Sequence, residues 1–111
     1  MKIANSVVGV PIQLTHERMD HIGRRHPEME GETGRILETI NQPDFVQEGD
    51  AGAFIAIRHY PKTPLTKKFC AVVYKEISGH DGHAVTAKHS WPLYASRSNK
   101  SPPFVHRRSF L

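Results

Sequence analysis

The sequence predicts a single α+β domain in which an N-terminal pair of helices packs on a four-stranded antiparallel sheet. Apolar residues follow a helical spacing as far as about residue 42 and alternate with a period of two from Phe45 onward. The connections between the predicted strands are too short for the crossovers that parallel neighbours need. A chain of 111 residues that is 38% apolar can fill one modest core, so we expect one domain.

The first helix is expected from about Thr15 to Arg25. Thr15 is a favourable N-cap residue, and Glu17 follows in the first turn, where a negative charge is stabilising. Ile22 belongs to the apolar stripe of this segment. Pro27 disfavours helical geometry at the residue before it, so the helix should end there.

The second helix is expected from about residue 32 to residue 41. Its apolar positions share one helical face, and Pro43 should end it: Thr33, Ile36, Leu37 and Ile40. The strands should follow at Phe45 to Gln47, Ala53 to Tyr60, Lys68 to Ile77 and His83 to Ser90. Turns are expected at residues 49–52, 61–64 and 78–82.

The two ends of the chain show weaker patterns. Residues 1–12 contain short apolar pieces interrupted by glycine and proline, so we expect an irregular lead-in or an edge strand. Residues 96–111 carry Arg97, Lys100, Arg107 and Arg108 with almost no apolar period. We therefore expect a folded domain over residues 1–95 and a basic tail over 96–111.

Composition indicates a compartment and a class of partner. Cys70 is the only cysteine, so a disulfide framework within one chain is excluded, which fits a reducing cytoplasm. No apolar stretch approaches the roughly 20 residues needed to cross a bilayer, so we expect no membrane partner. The formal net charge of +4 favours a polyanionic partner such as RNA.

Residues 14–28 combine histidines and arginines in one helix and its end. A helix that buries its apolar stripe would carry His26 to the rim of the sheet, where an imidazole can exchange protons with solvent. The alternative is that His26 only stabilises the C-terminal end of the helix dipole. From the residues alone, both interpretations stay open.

Several pieces of the chain together resemble the phage-linked branch of the BECR nucleases, a superfamily that includes barnase, EndoU, colicin and RelE-like ribonucleases. The resemblance covers roughly residues 12–91 and implies a helical pair on an antiparallel sheet. It also implies RNA cleavage without a metal or another cofactor. The pieces are Leu14-Thr15-x-Glu17-Arg18-x-x-His21-Ile22-x-x-Arg25-His26-Pro27-Glu28, Pro43-Asp44, Arg58-His59-Tyr60 and Val85-Thr86-Ala87.

The resemblance implies a catalytic set of His26, Arg58 and Thr86. Attack of a ribose 2′-hydroxyl on its own phosphate needs a proton carrier and positive charge at the phosphorane. His26 would carry protons, Arg58 would bind the nonbridging oxygens, and Thr86 would position or donate to one of them. Further contacts to RNA are expected from Arg25, Tyr60, Lys75 and Lys88.

Strand alternation allows Arg58, Tyr60, Thr86 and Lys88 to share one polar surface, on which Tyr60 could stack on a base. The strand register, which would decide between Lys75 and Lys88, is open at this point. Ordinary alternatives are a cross-strand salt bridge for Arg58 and simple strand propensity for Thr86. We interpret His80-Asp81-Gly82-His83 as a hairpin turn, with a metal site as the alternative.

The sequence therefore predicts a cytoplasmic, metal-independent endoribonuclease of a toxin or phage-associated kind. An antitoxin or immunity protein is a candidate partner. One alternative is a noncatalytic RNA-binding module that uses the same basic surface. Another is a phage structural or partner-binding protein that uses Pro102-Pro103-Phe104-Val105.

Overall fold

The computed structural model describes residues 1–61, 69–77, 81–90 and 104–107. Within these ranges the fold is α+β, as predicted, with two α-helices and one mixed sheet of seven strands. The turns expected at residues 61–64 and 78–82 lie mostly outside the described residues. Of the predicted basic tail, Arg97, Lys100 and Arg108 also lie outside them.

The helices and strands are numbered here along the chain. The N-terminal part contains β1 (Lys2–Asn5), β2 (Pro11–Leu14), α1 (His16–Arg25) and α2 (Thr33–Asn41). The remaining strands are β3 (Phe45–Glu48), β4 (Ala53–His59), β5 (Phe69–Ile77), β6 (Asp81–Ser90) and β7 (Phe104–Arg107). Their order across the sheet is β1-β2-β6-β5-β4-β3-β7.

The strands β3 to β6 pair consecutively and antiparallel, as the sequence predicts. The helix-first order and the limit of four strands are wrong, because the chain opens with the β1–β2 hairpin. This hairpin turns where Ser6 donates its N–H to Val10 and Gly9 adopts a φ of +85°. Strand β2 then pairs parallel with β6, and the two helices lie in the long connection between these strands.

The end of the chain also contributes to the sheet. Strand β7 pairs antiparallel with β3, with Phe45 opposite Arg107 and Val46 opposite His106. Residues 104–107 therefore belong to the folded domain rather than to a tail. The sequence missed this strand because its apolar alternation covers only a few residues.

Local capping and burial explain the helices. The Thr15 hydroxyl accepts the Arg18 N–H at 3.1 Å, which caps α1 as predicted. Ile22 of α1 and Ile36 and Ile40 of α2 are fully buried against the sheet. Among the residues that the structure describes, no helix has the length and apolar character needed to span a membrane.

The sheet has two faces, one of which is covered by the helices. The helix-covered face contributes to the hydrophobic core with Ala56, Cys70, Val72, Tyr74, Ala84 and Ala87. Strand alternation places the neighbouring residues on the opposite face, which we call the outer face. In the central strands the outer face carries Ile55, Ile57, His59, Phe69, Ala71, Val73, Lys75, His83, Thr86 and Lys88.

A β-bulge interrupts the pairing of β5 with β6. Val73 is opposite Thr86 and Tyr74 is opposite Ala84, so Val85 is an extra residue in β6. Simple alternation would separate residue 83 from residue 86, but the bulge brings both to the outer face.

Gly82 lies where β2, β5 and β6 approach most closely. It is opposite Glu76 on one side and Ile12 on the other. A Cβ added at residue 82 would lie 2.1 Å from the carbonyl oxygen of Lys75 and 2.7 Å from Cδ1 of Ile12. Only glycine fits at this position without displacing the backbone of β5.

Candidate nucleic-acid interface

A group of basic and hydroxyl side chains occupies the outer face. Lys75 and His83 are directly opposite each other on β5 and β6, so their Cβ atoms lie roughly 5 Å apart. Thr86 and Lys88 follow on β6, opposite Val73 and Ala71. All four polar residues are half-buried. This group spans roughly 13 Å along the strands.

The bulge completes this group. If the six residues from His83 to Lys88 alternated regularly, with no bulge at Val85, His83 would lie on the face opposite Thr86. The sequence predicts His83 at the end of a turn motif and at the start of a strand, and it does not place His83 among the expected RNA-contacting residues. The available signal was the spacing of Ala84 and Ala87, which are both buried on the helix-covered face although they are three positions apart and regular alternation would place them on opposite faces.

The register places both candidate lysines on one face. Lys75, Thr86 and Lys88 share the outer face, so neither lysine is excluded by strand pairing. Asp81 lies two residues before His83 on the same face and is exposed. Near His83 the described outer face therefore carries one lysine, Lys75, and one carboxylate, Asp81, and the second lysine, Lys88, lies farther along β6.

Arg58 lies on the helix-covered face, in contacts that join β4 to α2. Its guanidinium donates to the Gln42 carbonyl oxygen at 2.5 Å, and its Nε lies 3.8 Å from Oε1 of Glu38. The Arg58 side chain is 20% exposed, and its Nε has no hydrogen-bond partner in the described part of the chain. Through these contacts, Arg58 fixes the end of α2 against the sheet.

Tyr60 belongs to the same network and is not placed to stack on a base. Its hydroxyl donates to Glu38 at 2.5 Å, and the guanidinium carbons of Arg35 and Arg58 lie 5.4 and 5.5 Å from its ring centroid. Burial, followed by the hydrogen bond to Glu38, raises the pKa of the Tyr60 hydroxyl. Its ring is engaged by two cations of the protein itself.

His26 caps the C-terminal end of α1, at the rim of the helix-covered side. Its Nδ1 lies 3.9 Å from Oε2 of Glu28, and the same carboxylate oxygen accepts the His89 backbone N–H at 3.4 Å. His26 is half-buried, whereas Arg25 is exposed at the last position of α1.

The expected convergence of His26, Arg58 and Thr86 is not found. Arg58 is opposite Cys70, and Cys70 is opposite His89, which places Arg58 roughly 10 Å from His89, the residue beside which His26 lies. Thr86 is three residues before His89 and on the other face. The expectation that Arg58, Tyr60, Thr86 and Lys88 share one surface is therefore wrong.

The physical reason lies in the register between strands. Alternation within β4 and within β6 can be read from the sequence, but it does not say which face of one strand joins which face of the next. The pairing aligns Arg58 with buried Cys70 and Thr86 with Val73. The seven expected site residues thus divide into Arg25, His26, Arg58 and Tyr60 on the helix-covered side, and Lys75, Thr86 and Lys88 on the outer face.

Two buried polar residues lie across the sheet from Arg58: Cys70 is directly opposite Arg58, and His89 is directly opposite Cys70. Burial raises the pKa of the Cys70 thiol to about 11. His89 is 2% exposed, and neither of its ring nitrogens has a hydrogen-bond partner within the described ranges. Both side chains are covered by the helices and are not accessible to a large ligand.

The described residues contain no group of three or more histidine, cysteine, aspartate or glutamate side chains that could hold a metal ion. The turn interpreted from His80-Asp81-Gly82-His83 is only partly included, since His80 lies outside the described residues.

Comparisons with protein-family models, with curated proteins and with solved structures found no match to this chain.

Proposed function

We propose that the chain is a metal-independent endoribonuclease whose site lies on the outer face, at Lys75, His83, Thr86 and Lys88. The observation that supports this proposal is the β5–β6 bulge, which brings a histidine and a threonine to one face beside two lysines. β-Bulges commonly re-aim side chains next to active sites. The resemblance to BECR nucleases supports the same reaction and includes Thr86.

The residue types fit cleavage by the ribose 2′-hydroxyl. His83 would take the proton of the 2′-hydroxyl as its oxygen attacks phosphorus, since histidine is the commonest proton carrier at neutral pH. The bond from phosphorus to the 5′ oxygen then breaks, and the Lys75 ammonium would give that oxygen a proton. Lys88 would neutralise charge on the phosphate, and Thr86 would donate to a nonbridging oxygen. The products are a 2′,3′-cyclic phosphate and a 5′-hydroxyl.

In this proposal the helix-covered residues do not contact the reacting phosphate. Arg58 joins β4 to the end of α2, and His26 holds the end of α1 near Glu28. They support the fold that presents the outer face. Thr86 is the member of the expected catalytic set that keeps a direct role.

The test is cleavage of a short single-stranded RNA and of total RNA in the presence of EDTA, with the product ends mapped. His83→Ala should slow cleavage by about 10²–10⁴-fold and leave RNA affinity nearly unchanged. Lys75→Ala should both slow cleavage and weaken RNA binding. The matched controls are His16→Ala and Arg24→Ala, because both residues are exposed on α1, and neither should change the rate. A single 2′-deoxy substitution should block cleavage at that linkage.

Two results would contradict the proposal. Full activity of His83→Ala together with inactivity of a folded His26→Ala protein would move the site to the helix-covered side. Loss of cleavage in EDTA, restored by a divalent metal, would refute the metal-independent mechanism.

A second candidate function is noncatalytic RNA binding. The separation of His26 from Thr86 favours it, because the catalytic set implied by the resemblance is not assembled. This function predicts binding that weakens with salt and with Lys75→Ala or Lys88→Ala, and RNA that stays intact. Intact RNA after prolonged incubation with protein that binds it would decide for this candidate.

A further inference from the structure

An aromatic pair lies on the outer face beyond the basic group. His59 of β4 is directly opposite Phe69 of β5, and their rings stack with centroids 4.7 Å apart and an interplanar angle of 21°. His59 is exposed and Phe69 is half-buried. Neither residue belongs to the hydrophobic core on the helix-covered face. The exposed imidazole leaves a flat π surface in contact with solvent.

Of the described residues on the outer face, Lys88 is the cation nearest the pair. Lys88 is opposite Ala71, two residues from Phe69, so the Cβ atoms of Lys88 and Phe69 lie roughly 7–8 Å apart. Thr86 is farther along, roughly 13 Å from Phe69. A flat ring beside a positive charge is the combination that binds single-stranded nucleic acids, since cations hold the backbone and rings stack on bases.

We propose that the His59–Phe69 pair is a stacking subsite for one nucleobase of single-stranded RNA. This inference rests on the proposed function of the outer face. The distance from Thr86 assigns the stacked base to a nucleotide that flanks the cleaved linkage, with its phosphate near Lys88. The subsite accepts any base, because every base has a π face, and it selects single strands, because bases within a duplex are not available for stacking.

This subsite replaces the one expected from sequence. Tyr60 was the candidate for base stacking, but its ring contacts Arg35 and Arg58 on the helix-covered side. The neighbouring His59 lies on the outer face instead. Its backbone N–H donates to Oδ2 of Asp44 at 2.7 Å, which anchors the backbone at the end of β4.

The experiment measures affinity by fluorescence anisotropy with a 2′-O-methyl, single-stranded oligonucleotide, which cannot be cleaved through the 2′-hydroxyl. Removing one stacked ring by His59→Ala should weaken binding by about 5- to 150-fold. Phe69→Leu keeps an apolar side chain at a half-buried position and should weaken binding in the same direction. His59→Trp, which restores an aromatic ring, should recover the affinity.

An abasic nucleotide scanned along the oligonucleotide identifies the stacked base. At one position the abasic nucleotide should weaken binding to the wild-type protein by the same factor as His59→Ala, and it should cause no further loss in that variant. A duplex of the same sequence should bind more weakly than the single strand. Thermal melting of each variant checks that its fold is intact.

The results separate this inference from the proposed function. Unchanged affinity of folded His59→Ala and Phe69→Leu proteins, with RNA still bound and cleaved, would overturn the stacking subsite alone. Equal affinity for the duplex and the single strand would overturn it too. A wild-type protein that neither binds nor cleaves RNA would overturn both proposals.

Discussion

Replacement of Gly82 by alanine tests the close approach of β2, β5 and β6 that shapes the outer face. The added Cβ would lie 2.1 Å from the carbonyl oxygen of Lys75, whereas close carbon–oxygen contacts are about 3.3 Å. The side chain of Ile12 can move aside, but the Lys75 carbonyl belongs to the backbone of β5. The two strands must therefore separate by about 1 Å at this point.

The energetic cost follows from that displacement. Overpacking of a filled site costs about 1–3 kcal/mol, and loss of a strand hydrogen bond adds about 1 kcal/mol. The smaller backbone freedom of alanine in the unfolded chain offsets up to about 1 kcal/mol. We expect the free energy of unfolding to fall by about 1–3 kcal/mol, which lowers Tm by about 4–24 °C for a domain of this size.

The assay is thermal and urea denaturation followed by circular dichroism. The matched control is Gly23→Ala in α1, where an added Cβ would meet no heavy atom within 4 Å. This control should stabilise the protein by about 0.5–1 kcal/mol, since alanine is the better helix former. A Gly82→Ala protein with the Tm of the wild type would refute the reasoning. At temperatures where it stays folded, we expect slower RNA cleavage because Lys75 and His83 are displaced.

The other predictions concern stability. Arg58→Ala should lower the free energy of unfolding by about 1–3 kcal/mol in urea titrations, because it removes the hydrogen bond to Gln42, whereas exposed Arg24→Ala should change it by less than about 0.5 kcal/mol. Stability should fall as pH rises from about 8.5 towards 11, because the Cys70 thiol ionises first in the unfolded chain and has a pKa of about 11 in the folded one. Urea titrations at several pH values would measure this loss, and Cys70→Ala should reduce it. Truncation after residue 103 removes β7 and should lower Tm, and an unchanged Tm would show that β7 does not stabilise the fold.

Local structure could be predicted because its causes are local. The Thr15 cap, the apolar stripe ending at Pro27 and the alternation from Phe45 each involve residues close in the chain. The boundaries of α1, α2 and the four consecutive strands consequently lie close to the predicted ones. The N-terminal segment was expected as an irregular lead-in or an edge strand rather than as the β1–β2 hairpin, and β7 was expected within a tail, because each is a short element whose distant partner the sequence does not reveal.

The site was harder to predict because it depends on pairing between strands. Arg58 and Thr86 each occupy the expected position within a strand, but the register assigns them to opposite faces. His83 joins the outer face only through the extra Val85, and a bulge has no propensity signal as clear as a helix cap. Residue types alone suggested the chemistry, whereas the location of the site depends on how the strands pair in the sheet.

The parallel pairing of β2 with β6 has a consequence for folding order. Its two residue pairs, Ile12 with Gly82 and Gln13 with His83, join positions about 70 residues apart. Contacts of such sequence separation require closure of a long loop and therefore form late, after hairpins such as β5–β6. During synthesis the β1–β2 hairpin must wait for β6 to leave the ribosome before it can dock. Because Gln13 flanks His83, the same late event completes the edge of the proposed site, so an incomplete chain would be expected to lack activity.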